Sequence, residues 1–116
     1  MEGMGLMKTI TDIQLLNKMK QENAVFILFG GEHCGVCKTL RSRLEPLLKQ
    51  DFPDLPSVYI DCEISPNICA QHSVFSLPVV QAYIEGKLIV EENGAFSINK
   101  LLQSIERPYR LWKDVL

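Results

Sequence analysis

Cys34 and Cys37 stand three residues apart, with Gly35 and Val36 between them. Side chains three apart on a helical turn are neighbours, so this pair can close a disulfide and open it again. Just before it, Val25-Phe26-Ile27-Leu28-Phe29 is an unbroken apolar run of the kind that forms a strand buried on both faces. Gly30-Gly31-Glu32-His33 breaks that pattern as a loop. Beyond it, Cys37, Leu40, Leu44, Leu47 and Leu48 recur at helical spacing. The two sulfurs therefore belong to a junction of buried strand, loop and amphipathic helix, and they have different settings. Cys37 shares the apolar stripe and faces the core. Cys34 comes at the helix start, where unpaired backbone N–H groups and the positive end of the helix dipole favour a thiolate. A thiolate is the nucleophile of thiol–disulfide exchange: Cys34 attacks a disulfide, and Cys37 then attacks the Cys34 sulfur to release the reduced product. His33 adjoins the nucleophile and, when protonated, adds to the stabilisation of its charge.

A zinc site is the competing chemistry. It needs four ligands, usually paired at close spacing, and the remaining candidates are Cys62, Cys69, His33 and His72. Cys62 and Cys69 are not closely paired and have a predicted helix start between them, so no metal or other cofactor is expected. Those two cysteines read as small buried hydrophobes, with regulation or dimerisation as the alternative. Lys38 reads as a solvated charge near the site, and Asp61 as a side chain that hydrogen-bonds backbone in the turn after it.

At 116 residues the chain is read as one domain, 1–116, long enough to bury a core without metal or disulfide support. Residues 1–8 read as a loose lead-in and 108–116 as a C-terminal extension. A formal net charge of −2 leaves no basic footprint, so neither nucleic acid nor a membrane is expected as a partner. No apolar run is long enough to span a bilayer, and Met1 to Met7 lacks the pattern of a signal peptide. The expectation is a cytoplasmic protein, where Cys-x-x-Cys is more often catalytic or metal-binding than structural.

The elements follow in order. Thr11-Asp12-Ile13-Gln14 has the form of a capping box for a short helix ending near Gln21. Then come the buried strand, the cysteine loop and the long helix, with a kink expected at Pro46. Val58-Tyr59-Ile60 reads as a second strand, and Ser65-Pro66 opens a short helix to about His72. Val79–Ile84 and Lys87–Glu91 form a hairpin through Glu85-Gly86, followed by a turn at Asn93-Gly94. Ser97 caps a last helix carrying Ile98, Leu101, Leu102 and Ile105, which Pro108 is expected to end. Strands joined by crossover helices are parallel, and the hairpin adds antiparallel strands. The expected fold class is α/β, a three-layer α/β/α sandwich with a central mixed sheet of four or five strands.

With this order and these cysteines, the chain resembles the thioredoxin family from about Ile10 to Ile105. The carrying residues are Cys34-Gly35-Val36-Cys37-Lys38 after a buried strand, Leu77-Pro78 opening the hairpin, and Gly94-Ala95 before the last helix. The resemblance implies a thioredoxin fold, thiol–disulfide exchange and a cis peptide before Pro78. It also implies a substrate groove formed by His33, Gly35, Val36, Leu77, Pro78, Asn93 and Gly94. The partners would be protein disulfide substrates and an electron-donor reductase, with a role in cell redox homeostasis. A thioredoxin-fold binding module with little turnover is the alternative. Three departures bear on efficiency and range. His33 and Val36 replace the tryptophan and proline of Trp-Cys-Gly-Pro-Cys, Leu28 aligns with the aspartate buried behind the second cysteine, and Ser42 aligns with the proline that kinks the helix.

Overall fold

The structure, a computed structural model, describes residues 7–114. The elements run β1 (Lys8–Thr9), α1 (Ile13–Glu22), β2 (Ala24–Gly30), α2 (Gly35–Asp51), β3 (Ser57–Asp61), α3 (Pro66–Gln71), β4 (Val79–Ile84), β5 (Lys87–Asn93) and α4 (Ile98–Asp114). They build a five-stranded sheet in the order β1-β3-β2-β4-β5. β3 pairs in parallel with β1 and β2, whereas β4 is antiparallel to β2 and β5. β2 lies at the centre and is buried along its whole length, as its apolar run requires.

Strand geometry sends alternate side chains of β2 to opposite faces. Ala24, Phe26 and Leu28 join a core with Leu44 and Leu48 of α2 and Leu101, Leu102 and Ile105 of α4. Val25, Ile27 and Phe29 join a second core with Leu16 of α1 and Ile68 and Cys69 of α3. Two helices thus cover each face of the sheet. No helix among the described residues is long and apolar enough to cross a membrane.

Three local expectations change. The cap of α1 is Asp12 rather than Thr11: its carboxylate accepts the N–H groups of Gln14 and Leu15 at 2.9 and 3.3 Å. Lys8 belongs to a strand with Thr9, not to a loose lead-in, because β3 offers a free edge there; residues 1–6 lie outside the described part. As the leucine spacing requires, α2 continues past Pro46 to Asp51, with Leu44 and Leu48 buried on either side of it. Pro108 does not end the last helix, so 108–114 is no separate extension but the last turns of α4. The apolar stripe Ile98, Leu101, Leu102, Ile105 continues as Tyr109 and Trp112, both buried. A mid-helix proline costs about 3 kcal/mol, and burying two large aromatic side chains offsets it at roughly 1.5–3 kcal/mol each. Tyr109 also packs on Phe52 at 5.0 Å, and its hydroxyl accepts the Asp54 N–H at 3.1 Å.

The β4–β5 turn shows how a sequence signal and a tertiary contact combine. Glu85 and Gly86 both have positive φ, 50° and 85°, the pairing that matches the twist of a two-residue hairpin. Glutamate is an unusual occupant, and the α1 end holds it there: Glu85 N–H donates to the Asn23 carbonyl and Gly86 N–H to that of Lys20, each at 2.7 Å.

Candidate active site

Sheet register assembles the site around the C-terminal end of β2. Phe29 pairs with Val79 of β4, which sets Pro78 beside Gly30. On the other side Gly30 pairs with Asp61 of β3, and the Cys62 N–H donates to the Gly30 carbonyl at 2.8 Å. The Cys34 loop therefore emerges between two others, one leading into Pro78 and one leaving Asp61.

Cys34 is the N-cap of α2 with extended backbone, held by a turn in which its N–H donates to the Gly31 carbonyl at 3.1 Å. Its sulfur accepts the Cys37 N–H at 3.2 Å. Cys34 and Cys37 form a disulfide with their Cα atoms 5.2 Å apart. Cys37 is fully buried and Cys34 half-buried, the inequality that the apolar stripe predicts. The same N–H that meets the bonded sulfur here would meet a thiolate after reduction, and a charge-assisted hydrogen bond is the stronger kind. Leu28, fully buried among Phe26, Leu44 and Val80, supplies no proton acceptor in the core below.

Gly30 is a site residue that sequence reasoning missed. A Cβ there would fall 2.2 Å from the Tyr59 hydroxyl oxygen and 2.9 Å from the Cys37 Cβ, so the close approach of β2, β3 and α2 needs glycine. Tyr59 is buried beneath the Arg41 guanidinium, 4.4 Å from the ring centre. Burial, then the nearby Asp61 carboxylate, raises its phenol pKa above the ordinary value.

The residues expected to meet a substrate divide into two sets. The Leu77–Pro78 peptide is cis, and the Pro78 carbonyl accepts the Gly94 N–H at 3.0 Å, which ties the two predicted loops together. Register explains it: Asn93 is the β5 partner of Val79, so Gly94, with φ 65°, falls opposite Pro78. Gly35, Val36 and Gly94 line a cleft of about 630 Å³ with Leu40, Arg43 and Phe96. Val36, 66% exposed, offers it an apolar rim. Pro78 itself is buried, and the Leu77 side chain packs on the second core, so that loop presents backbone rather than side chains. Phe75, 83% exposed in the segment entering Pro78, is a further apolar group that the sequence analysis passed over. Only its place between a helix and a strand could have pointed to it.

The loop after Asp61 contributes two unexpected features. Asp61 Oδ1 accepts the N–H groups of Glu63 and Ile64 at 2.8 and 3.3 Å, the backbone role its position suggested. That turn doubles the chain back into α3 and brings Cys62 to Cys69, which form a second disulfide with Cα atoms 5.8 Å apart. Their reading as unpaired small hydrophobes is corrected; only Cys69 is buried, while Cys62 is half-buried. Glu63 reaches the Cys34 loop. One carboxylate oxygen accepts the His33 N–H at 3.0 Å, and the other meets His33 Nδ1 at 2.9 Å. The ring hydrogen bond and the charge of Glu63 raise the His33 pKa; the backbone N–H and then the ring of His33 lower that of Glu63. Among the described residues no group of three or more His, Cys, Asp or Glu is placed to hold a metal.

The thioredoxin family model matches residues 7–107. The chain belongs to the thioredoxin family. It is 29% identical over 111 residues to a thioredoxin-like protein of Bacillus subtilis, YdfQ, covering 92% of this chain and 98% of that protein. In structure it is similar to the oxidised mitochondrial thioredoxin 3 of Saccharomyces cerevisiae, with a TM-score of 0.70, 27% identity and coverage of 90% and 93%. The thioredoxin of Trypanosoma brucei brucei shares the fold at a TM-score of 0.79 and 21% identity, covering 95% and 97%. The thioredoxin family and the Cys34–Cys37 pair together make thiol–disulfide oxidoreduction the general chemistry of this chain. Relative to the family's usual motif, His33 and Val36 give this thioredoxin-like protein a redox loop with a titratable ring on one side and an apolar rim on the other.

Proposed function

We propose that this chain reduces protein disulfides in the cytoplasm, as part of cell redox homeostasis, with Cys34 attacking and Cys37 resolving. The observation that carries this reading is the unequal setting of the pair: a half-buried cysteine at the α2 N-cap whose sulfur accepts an N–H, beside a fully buried one. In the first step the Cys34 thiolate bonds to one substrate sulfur, the substrate S–S bond breaks, and the electron pair leaves on the second sulfur. In the second step Cys37, having lost its proton, bonds to the Cys34 sulfur and expels the first substrate sulfur as a thiolate. Two electrons and two protons, delivered by an electron-donor reductase, restore the dithiol.

An extended substrate segment would lie across Gly35, Val36, Pro78, Asn93 and Gly94, pairing with the backbone at Leu77. The tie between Pro78 and Gly94 supports that groove, since it fixes both loops as one wall. His33, exposed and directly before Cys34, would border it. In a reducing compartment both cysteine pairs are held as dithiols between turnovers.

The test is trapping. Cys37→Ser accumulates mixed disulfides with cell proteins, while Cys34→Ser forms few; equal trapping by both, or by neither, overturns the roles. Leu28 favours one alternative, a thioredoxin-fold adaptor that holds partners and turns over rarely, because the apolar core offers no base to Cys37. Steady-state reduction of a small-molecule disulfide separates the two: sustained turnover is the reductase, and a single burst is the adaptor.

A further inference from the structure

The loop that carries Cys34 is gripped from outside by a residue of another strand's loop. Glu63 lies on a turn that Asp61 fixes whatever the state of the cysteines: its Oδ1 accepts the N–H groups of Glu63 and Ile64. From there its carboxylate takes both the backbone N–H and the ring Nδ1 of His33, the residue directly before the nucleophile. The His33 side chain is 85% exposed, so the ring stands at the surface with Nδ1 engaged by Glu63. We propose that Glu63 is a positioning residue of the redox loop, fixing His33, the residue directly before Cys34, so that the charge of the imidazolium stays on the nucleophile's loop. The inference rests on the reading of Cys34 as the attacking sulfur.

The effect of His33 on the exchange is electrostatic. Both the Cys34 thiolate and the sulfur that departs in the exchange carry negative charge, and a fixed imidazolium favours each of them. His33 keeps its proton throughout the exchange; only its charge acts. The charged groups around the ring are Glu63 from the loop after β3, Glu32 on its own loop and Lys38 on α2, which pairs with Glu32 at 3.6 Å. Glu63 makes the direct contacts, and its effect on the ring exceeds the opposing one of Lys38. A protonated His33 also needs both ring nitrogens as donors, and Glu63 supplies the acceptor for Nδ1. With the buried acid of the family replaced by Leu28, this exposed pair is an ionisable device at the residue directly before the nucleophile, beside the Glu32–Lys38 pair.

The experiment uses the full chain, reduced, with Glu63→Gln, Glu63→Asp, His33→Gln and the double variant Glu63→Gln/His33→Gln. Two readouts are taken: the titration midpoint of the His33 ring by NMR, and the rate of Cys34 alkylation by iodoacetamide against pH. His72, the second of the two histidines, is the internal control. Glu63→Gln lowers the His33 midpoint while leaving that of His72 in place, and Glu63→Asp, one methylene short, gives an intermediate value. Near pH 6.5 Cys34 alkylation slows by about threefold in Glu63→Gln, the scale of an exposed charge interaction. His33→Gln slows it equally, and the double variant no further. An unchanged His33 midpoint, a faster Cys34 in Glu63→Gln, or additive losses in the double variant overturns the proposal. Should wild type reduce no disulfide, the reading under Proposed function falls, while the midpoint and the alkylation rates still decide the role of Glu63.

Discussion

Gly30→Ala adds one methyl group at the point where β2, β3 and α2 meet. Its Cβ would stand 2.2 Å from the Tyr59 hydroxyl oxygen, 2.8 Å from Cζ of that ring and 2.9 Å from the Cys37 Cβ. Neither neighbour yields cheaply. The Tyr59 ring is capped by Arg41, which is itself tied to the Met7 carbonyl and, at 3.3 Å, to the Glu45 carboxylate. Cys37 is part of the first turn of α2. Overpacking of this kind costs about 2 kcal/mol, which for a domain of this size lowers the unfolding midpoint by about 8 °C. The methyl group also pushes Cys37 relative to Cys34, so resolution of a mixed disulfide slows more than alkylation of Cys34 does. Tyr59→Phe removes the atom that collides most and leaves Cζ in the way. In the background of Gly30→Ala it should therefore return roughly half the loss, a coupling of about 1 kcal/mol in a double-mutant cycle. Thermal and denaturant unfolding of the oxidised protein measure the stability terms, and single-turnover kinetics the resolving step. If Gly30→Ala stays within about 0.5 kcal/mol of wild type, or if the two substitutions add independently, the steric account of Gly30 is wrong.

Three other perturbations test separate parts of the structure. Leu28→Asp places a carboxyl in the apolar core, at a cost of about 5 kcal/mol from lost packing and buried polarity, yet should speed resolution of the mixed disulfide near neutral pH. If wild type already resolves as fast at neutral pH as at pH 9 and Leu28→Asp changes nothing, another base serves Cys37. Replacing both Cys62 and Cys69 by serine opens a loop of about eight residues and should cost about 2.5 kcal/mol in the oxidised protein; denaturant midpoints unchanged from wild type would refute that staple. Burial lowers the His72 pKa, with its Nδ1 donating to the Ile68 carbonyl at 2.8 Å and Nε2 accepting from Lys20 at 2.9 Å. A folded pKa below the unfolded one, about 6.5, means that the neutral ring's contribution is complete above that pH and is lost as pH falls through the folded value. His72→Gln should therefore flatten the decline of stability on acidification, and an equal slope in both proteins would exclude His72 as its source.

Much of the fold and the centre of the site could be read directly from residue order, because each rests on a local rule. An unbroken apolar run marks β2, leucines at helical spacing mark the buried side of α2, and the same stripe separates buried Cys37 from half-exposed Cys34. Positive-φ turns at Gly86 and Gly94 are written in the glycines themselves. Other features depend on what lies across space. Nothing near Pro108 in sequence says that Phe52 and Asp54 wait to receive Tyr109, so the proline rule alone ends the helix too early. Gly30 looks like a loop breaker until β3 register brings Tyr59 against it. Glu63 is one more surface acid until Asp61 turns the chain and register sets that turn beside the Cys34 loop. Cys62 and Cys69 have no spacing that names a disulfide, and the turn into α3 decides it. Composition and periodicity govern which face of an element is buried; sheet register and the turns between elements govern which distant side chains meet, and the surroundings of Cys34 are made almost wholly of such meetings.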